Sequence, residues 1–424
     1  MNELSLFLPC AAGVEDFLAQ EVHALTGRVG QDLLSARGGV RVRASWRDAL
    51  NLNLHSRLAQ RVLVEIAHAP YRSENDLYNI ASGVAWEIWF TPKQTFKIET
   101  TAQHSPLQSL NFATLRIKDA IADRFRAKAN GVRPSIETQW PDVRVFAHLT
   151  TEFCTLYIDT SGEPLFKRGW RQDKGDAPLK ETLAAAMLAA SGWWNPETGE
   201  VSAQPLYDPC CGSGTIAIEA AQIASGMAAG SLRRFGFEKL LPFQSHVWQA
   251  LKAESVPKAD RRPTPVFGSD VSHRMVDFAE RNAERAGVAQ AVQFRGGDAL
   301  QRMPPVESGV IVLNPPYGER IEVGGVARDR GSDAPARGRE QAQTEDGGEF
   351  FVQLASHWKK NYAGWTAWVL TPDMQLPKRM RLKESRRVPM WNGPIECRLF
   401  RFDMVAGSAR ERAPAKPPET PPQP

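Results

Sequence analysis

The spacing of apolar positions changes along this chain, and each change marks an element. At 13–25, Val14, Phe17, Leu18 and Val22 fall on one face of a helix. The stretches 95–100 and 154–158 alternate as strands do, and between them Ile117, Ile121 and Phe125 predict the inward face of a helix over 115–129. Residues 1–160 thus read as α+β. Beyond residue 177 the rhythm becomes strand then helix, repeatedly. A helix is predicted over 177–191, with Pro178 in its first turn, Leu179, Leu183 and Met187 as its buried stripe and Gly192 past its end. Leu206-Tyr207-Asp208 reads as a strand that passes through a glycine turn into a helix at 216–223. Further strands are predicted at 265–270, 292–298 and the uninterrupted apolar run 309–313. A helix over 275–286 opens after Ser272, carries Met275, Ala279, Asn282 and Ala286 on one stripe, and stops at Gly287. Short apolar strands alternating with helices predict an α/β fold with a mostly parallel, doubly wound sheet.

In such sheets ligands bind beyond the carboxyl ends of the strands, so the residue that ends each strand is informative. The run 309–313 closes on Asn314-Pro315-Pro316-Tyr317. Two prolines stiffen that turn, because proline fixes φ and cannot donate to a sheet ladder. Asn314 offers a side-chain carbonyl, Pro315 a backbone carbonyl and Tyr317 an aromatic face, a set that suits a planar ring bearing an amino group. Four residues alone are equally an ordinary turn. Upstream, Asp208-Pro209-Cys210-Cys211-Gly212-Ser213-Gly214-Thr215 supplies glycines that let a ligand approach the backbone, and a hydroxyl at Thr215 placed to meet free helix N–H groups. No Gly-Lys-Ser/Thr follows, which argues against a P-loop. Gly212-x-Gly214-x-x-Ala217 does fit a loose dinucleotide fingerprint, but the next acidic strand end, Asp270, lies far beyond the roughly 20 residues that fingerprint expects. Asp270 can take ribose hydroxyls, and Asp298, ending the third strand, can accept from an adenine amino group. Singly, each is as well explained as a cap or loop aspartate. The ordered series Asp208, Gly212 and Gly214, Asp270, Asp298, Asn314 at successive strand ends describes a pocket for S-adenosylmethionine.

These motifs carry a family resemblance. Asp208-Pro-Cys-Cys-Gly-Ser-Gly-Thr215, Gly268-Ser-Asp270 and Asn314-Pro-Pro-Tyr-Gly-Glu-Arg320 resemble the THUMP-domain RNA methyltransferases that modify the exocyclic N2 of guanine, and within them the enzymes acting on large-subunit (23S) rRNA. Arg168-Gly-Trp-Arg171, Ala177-Pro-Leu-Lys-Glu-Thr-Leu-Ala-Ala185, Ile117-Lys-Asp-Ala-Ile121 and Asn392-Gly-Pro-Ile-Glu-Cys397 extend the likeness over residues 4–403. The resemblance implies a Rossmann-like class I methyltransferase domain preceded by a ferredoxin-like and THUMP region. It also implies that Asn314, Pro315 and Tyr317 are catalytic, and that Asp208, Cys210, Gly212, Gly214, Thr215, Asp270, Asp298 and Asn314 hold the cofactor. The chain departs from the family's pattern at Trp170, where tyrosine is usual, and in a polar insertion at 326–347. A second methyltransferase domain for guanine-N7, which some relatives carry, is not expected here.

Composition adjusts this picture only in places. With 424 residues, 42% of them hydrophobic, and no apolar run near roughly 18 residues, two or three domains and no membrane span are expected. The expected division is 1–68 ferredoxin-like, 69–160 THUMP, 161–176 linker, 177–405 methyltransferase and 406–424 a disordered proline-rich tail. The 326–347 segment is expected to be a mobile loop that either closes over RNA or is a tolerated insertion. The N-terminus lacks a basic n-region, and the five cysteines are too scattered for a disulfide framework, so a cytoplasmic protein is expected. Cys210-Cys211 has no Cys-x-x-Cys or neighbouring histidine pair to suggest a metal, and none is expected. A net charge of +4 leaves the attraction of RNA to local patches. Arg116, Lys118, Arg124, Arg126 and Lys128 crowd the outer face of the 115–129 helix, and Arg386 and Arg387 lie in a second basic stretch beside Trp391. Each is either a solvated face or, beside the THUMP resemblance, a contact for the RNA backbone. The Asn-Pro-Pro-Tyr loop also suits adenine-N6 in DNA and the amide of protein glutamine. A tRNA target, a non-catalytic RNA-binding assembly factor and an oxidoreductase complete the rivals.

Overall fold

The computed structural model describes residues 3–175, 178–256, 264–315 and 347–405. Pro316, Tyr317, nearly all of the 326–347 segment and the tail from 406 lie outside the described residues.

The N-terminal half comprises β1 (Leu4–Pro9), α1 (Glu15–Thr26), β2 (Leu33–Ala36), β3 (Gly39–Ala44), α2 (Trp46–His55), β4 (Leu63–Pro70), α3 (Glu74–Gly83), β5 (Phe96–Ala102), α4 (Leu110–Lys128), β6 (Val143–Leu149) and β7 (Phe153–Asp159). One seven-stranded sheet runs through all of it in the order β2-β3-β1-β4-β7-β6-β5. Its pairs are antiparallel except β5 with β6. The boundary expected at 68/69 therefore falls inside a strand. β4 pairs with β1 on one flank and with β7 on the other, so the two modules share a sheet. Joining them edge to edge gives partners to backbone groups that two separate sheets would leave open. Helix α4 buries Ile117, Ile121 and Phe125 as its spacing predicts.

The C-terminal half comprises α5 (Glu181–Ala190), β8 (Leu206–Asp208), α6 (Thr215–Ala224), α7 (Ser245–Glu254), β9 (Val266–Asp270), α8 (His273–Arg285), β10 (Val292–Gly296), β11 (Val310–Leu313), α9 (Gly347–Asn361), β12 (Thr366–Thr371), α10 (Leu376–Met380), β13 (Arg386–Asn392) and β14 (Ile395–Asp403). Its sheet has the order β10-β9-β8-β11-β12-β14-β13. Strands β10 through β12 are parallel, whereas β14 and β13 are antiparallel. Strand order reverses between β8 and β11, which opens the crevice where doubly wound sheets bind ligands. Along β11, Ile311 and Leu313 pack with Phe351, Leu354 and Trp358 of α9, while Val312 joins the core on the other face. Burial on both faces explains why this strand reads as an unbroken apolar run.

Three expectations are corrected by packing. Helix α5 begins at Glu181, so Pro178 precedes it, and Lys180 is still extended. Every residue of α5 is buried, not one stripe, because the helix lies between α6 and α1 and its alanines allow both to come close. Of the stripe expected on α8, Ala279, Asn282 and the C-capping Ala286 are buried, joined by Val276 and Ala283, while Met275 is half-buried.

The third correction concerns the expected linker 161–176, whose described residues, through Gly175, bury several side chains in the core. Leu165, Arg168 and Trp170 are each 1% exposed. Arg168 donates to both oxygens of Glu219 in α6, at 2.9 and 3.4 Å, and to the carbonyls of Leu165 and Arg57. Arg57, from the loop after α2, donates to the same Glu219 at 2.8 Å and to the Met227 carbonyl. Its own N–H is held by Glu21 of α1, which also accepts from Ser56. Burial by itself would raise the Glu219 carboxyl, but Arg168 and Arg57 outweigh it and hold the group below the usual carboxylate range. A depressed carboxylate contributes stability above its unfolded value and loses it as pH falls through the folded one. Glu219→Ala should therefore cost about 3–5 kcal/mol near neutral pH, as expected when one partner of a buried ion pair is removed. Denaturant unfolding should also show the deficit shrinking in acid. A loss under about 1 kcal/mol, the worth of an exposed pair, would show that the triad does not hold the halves together.

Candidate active site

Strand β8 ends at Asp208, which is 1% exposed and accepts one hydrogen bond, from the Cys210 N–H at 3.2 Å. Burial, aided by the nearby charge of Asp270, pushes its carboxyl up to about 8. The thiols of Cys210 and Cys211 are also pushed well up, first by burial and then by the surrounding aspartates. Neutral, shielded thiols are poor nucleophiles and poor metal ligands. Among the described residues no cluster of histidine, cysteine, aspartate and glutamate could hold a metal ion.

The chain then turns through Gly212 (φ +53°) and Gly214 (φ +89°) into α6. A side chain on Gly214 would press on Ala279, Ile218 and Phe294, so this glycine also allows α8 and β10 to approach. Gly212 differs: among the described residues no atom lies within 4 Å of where a Cβ would stand, so its backbone faces open space there. The Gly212 N–H donates to Asp270 Oδ2, and the Ser272 N–H to Asp270 Oδ1, each at 2.9 Å. Asp270 thus braces the turn while each oxygen keeps a second acceptor site. Its carboxyl is raised by burial against these two bonds. Asp298, after β10, accepts from Leu300 N–H through Oδ1 at 2.9 Å. At the end of β11, Asn314 Oδ1 is buried without a hydrogen-bond partner among the described residues, and Pro315 beside it is buried.

The role expected of Thr215 is corrected. Gly214 occupies the N-cap without a side-chain bond, and the Thr215 hydroxyl instead accepts from Arg171 at 2.7 Å. Arg171 also donates to Ser213 Oγ at 2.8 Å and to Glu181 Oε1 at 2.8 Å. Sequence reasoning gave Arg171, Arg168, Arg57 and Glu219 no functional place. The available signal was a glutamate within the apolar run 216–223, where a buried charge demands cations.

The two basic stretches part company in the structure. On α4, Arg124 grips Glu87 through two bonds of 2.5 and 3.1 Å, Arg126 pairs with Asp123 and Lys118 with Asp119. Arg116 lies 4.6 Å over the Tyr78 ring and donates to Asn75. Of the five, Lys128 alone is exposed without an ion pair or ring contact among the described residues. The crowded positive face read from sequence is therefore largely neutralised by the protein itself. Arg386 and Arg387, by contrast, are exposed on the edge strand β13 and have no ion pair among the described residues. As successive strand residues they point to opposite faces.

The crevice between β8 and β11, with a buried acceptor on one side and an open glycine turn on the other, places the C-terminal half among the doubly wound methyltransferases. Family comparison reaches both halves of the chain. Residues 5–63 match the RlmL ferredoxin-like domain, 71–159 the THUMP domain, and 168–328 the RMKL-like methyltransferase domain. The chain thus carries matches to a ferredoxin-like, a THUMP and a methyltransferase domain in series, and resembles the THUMP-containing methyltransferases. It is 36% identical over 98% of its length to the ribosomal RNA large subunit methyltransferase K/L of Shewanella baltica strain OS195, and spans 55% of that relative. Among solved structures, SMU.472, complexed with SAH, superposes with a TM-score of 0.79 at 24% identity, covering 95% of this chain and 98% of that one. A possible methylase from Clostridium difficile 630 does so with 0.79 at 25% identity, covering 99% and 100%. At 24% identity the likeness to SMU.472 is one of fold. No helix among the described residues is long and apolar enough to cross a membrane.

The Asp208 carboxyl gives the site a pH signature. A folded value raised to about 8 means that its contribution to stability is complete below the unfolded carboxylate range and lost as pH rises through about 8. Thermal unfolding of the ligand-free protein between about pH 5 and about pH 9 should therefore fall more steeply than that of Asp208→Asn. Parallel profiles would remove Asp208 as the titrating group.

Proposed function

We propose that this protein transfers a methyl group from S-adenosylmethionine to the exocyclic N2 of a guanine in RNA, with 23S rRNA as the target and the cytoplasm as the place of action. The observation that carries this reading is the buried, unpartnered Asn314 Oδ1. Leaving a buried acceptor without a donor costs about 1–3 kcal/mol, so an external N–H that fills it gains what the free protein forgoes. An amino group on a planar base is such a donor. The Pro315 carbonyl is proposed to accept its second hydrogen, and Tyr317 to stack on the ring. Two acceptors in the plane of the base leave the nitrogen lone pair directed out of it.

The remaining residues fit the cofactor. Gly212 offers an open backbone face, Asp270 keeps free lone pairs for two hydroxyls, and Asp298 retains Oδ2 for an amino group. Asp208 is a buried carboxyl whose ionised form a neighbouring cation would favour. Held by Gly212, Asp208, Asp270 and Asp298, S-adenosylmethionine would supply an electrophilic methyl carbon to the amine that Asn314 and Pro315 orient. The protein's share is orientation and exclusion of water. RNA as the substrate is supported by the THUMP match and by the names of the relatives. Arg386, Arg387 and Lys128, free of ion pairs among the described residues, are the proposed phosphate contacts, whereas Arg116, Lys118, Arg124 and Arg126 are engaged within the protein.

Nucleoside analysis of rRNA and tRNA from a deletion strain should show N2-methylguanosine missing from one position of 23S rRNA. Its absence from tRNA alone would overturn the rRNA assignment. In the purified protein, Asn314→Ala should lower kcat by about a hundredfold or more, the scale of one donor or acceptor working on the reacting group. S-adenosylhomocysteine affinity should stay within a few-fold. Turnover comparable to the unsubstituted protein would exclude Asn314 from the reaction.

A further inference from the structure

The glycine turn is held from outside by a side chain that the reading above leaves without a task. Arg171 is 13% exposed, and its guanidinium spends three N–H groups in three directions: Nε on Glu181 Oε1 at 2.8 Å, Nη1 on Ser213 Oγ at 2.8 Å, and Nη2 on Thr215 Oγ1 at 2.7 Å. Ser213 and Thr215 flank Gly214, and each is 5% exposed. The guanidinium also lies 4.9 Å over the Trp170 ring. Glu181 opens α5 and is itself buried, so the charge on Arg171 has a fixed counterion and the fork a fixed orientation.

The neighbouring residues of the same strap hold the turn as well. Asn282 of α8 donates to the carbonyls of both Asp173 and Ser213, at 2.9 and 3.0 Å. Asp173 pairs with Arg281 and Arg285. Three residues before Arg171, Arg168 reaches Glu219, one helical turn into α6 from Thr215. The strap therefore grips α6 at its first turn and again farther along. That geometry is specific to a fork: a lysine in place of Arg171 has a single nitrogen and cannot meet three acceptors spread around a plane.

We infer that Arg171 is a positioning residue: it pins the hydroxyls on either side of Gly214, so the turn keeps its ligand-binding shape before any ligand arrives. This rests on the reading that the turn from Asp208 to Thr215 holds the cofactor. It adds that cofactor affinity is set in part by a strap leading in from the N-terminal half. Because both hydroxyls accept from Arg171, their own hydrogens are directed away from the guanidinium. Without the fork, the two glycines leave the turn free to relax, and binding must bear the cost of ordering it.

Calorimetric titration of the full chain with S-adenosylhomocysteine tests this. Arg171→Ala and Arg171→Lys should each weaken binding by on the order of tenfold or more, the worth of a hydrogen bond to a charged group. Ser213→Ala/Thr215→Val, which leaves the Arg171–Glu181 pair in place, should lose a similar factor. Adding Arg171→Ala to that double variant should cost little further, since both changes remove the same contact. In turnover assays the KM for S-adenosylmethionine should rise while kcat at saturation stays within about twofold, a split that a general loss of folded protein would not produce. Affinity unchanged in the double variant, or losses that add in the combination, would overturn the inference, even if Arg171→Ala does not fold. If the unsubstituted protein does not bind S-adenosylhomocysteine, the cofactor reading itself has failed, which is a separate outcome.

Discussion

One carboxylate between two guanidiniums determines how this molecule is assembled. Glu219 lies in α6 with no exposure to solvent, and it receives Arg57 from the N-terminal half and Arg168 from the strap between the halves. Three charges taken out of water repay their desolvation only in one arrangement. A shift of α6 by one residue, or of the N-terminal sheet by a few ångströms, would leave a buried charge without its partner. The apolar contacts around the triad are less demanding, because alanines and leucines tolerate sliding. The triad is therefore better understood as fixing register between the halves than as adding net stability. The helix it fixes is the one that begins at the glycine turn.

A second seam sits on the far side of the sheet. The Trp391 N–H of β13 donates to the Ala12 carbonyl at 3.2 Å, and Gly13 lies so close that a Cβ there would stand 2.3 Å from the Pro389 carbonyl. With a φ of +84°, Gly13 meets both a conformational and a steric demand that no other residue satisfies. Two seams, one ionic and one by backbone contact, restrain the N-terminal sheet against the methyltransferase sheet more than either could alone. In the function proposed, an RNA-reading half joined in this way to a site of chemistry would measure a fixed distance along the substrate.

What the sequence discloses of this arrangement follows a physical rule. Strand ends are legible because a buried parallel strand is mostly apolar, so the acid or amide that closes it is conspicuous; Asp208, Asp270 and Asn314 each stand out for that reason. The strap 161–176 is opaque because its composition is that of a solvated linker. Its arginines are buried only because Glu219 and Glu181, distant in sequence, wait for them. The basic face of α4 misleads for the same reason in reverse: Glu87, which neutralises Arg124, belongs to another segment. The seam at β4 was hidden because edge pairing uses backbone atoms, which every sequence carries alike. Periodicity reports burial well, but charge pairing across the chain leaves no local trace.

The electrostatics of the crevice follow from the same burial that makes its strands readable. Asp208 and Asp270 sit at adjacent strand ends in a low-dielectric setting, and neither has a cationic side chain bound to it among the described residues. The cations that could have served are elsewhere: Arg168 and Arg57 on Glu219, Arg171 on Glu181. Acids held without counterions beside an open glycine face make a site that favours a cationic ligand, and Asn314 adds an acceptor without a donor. Each of these groups is costly in the free protein, and each cost is relieved by a different part of what is proposed to bind. The rigid frame is what allows them to persist, since a mobile crevice would collapse until its acids found nearby cations and its amide a nearby N–H. Held apart by the triad and the strap, the unsatisfied groups become binding energy reserved for the ligands.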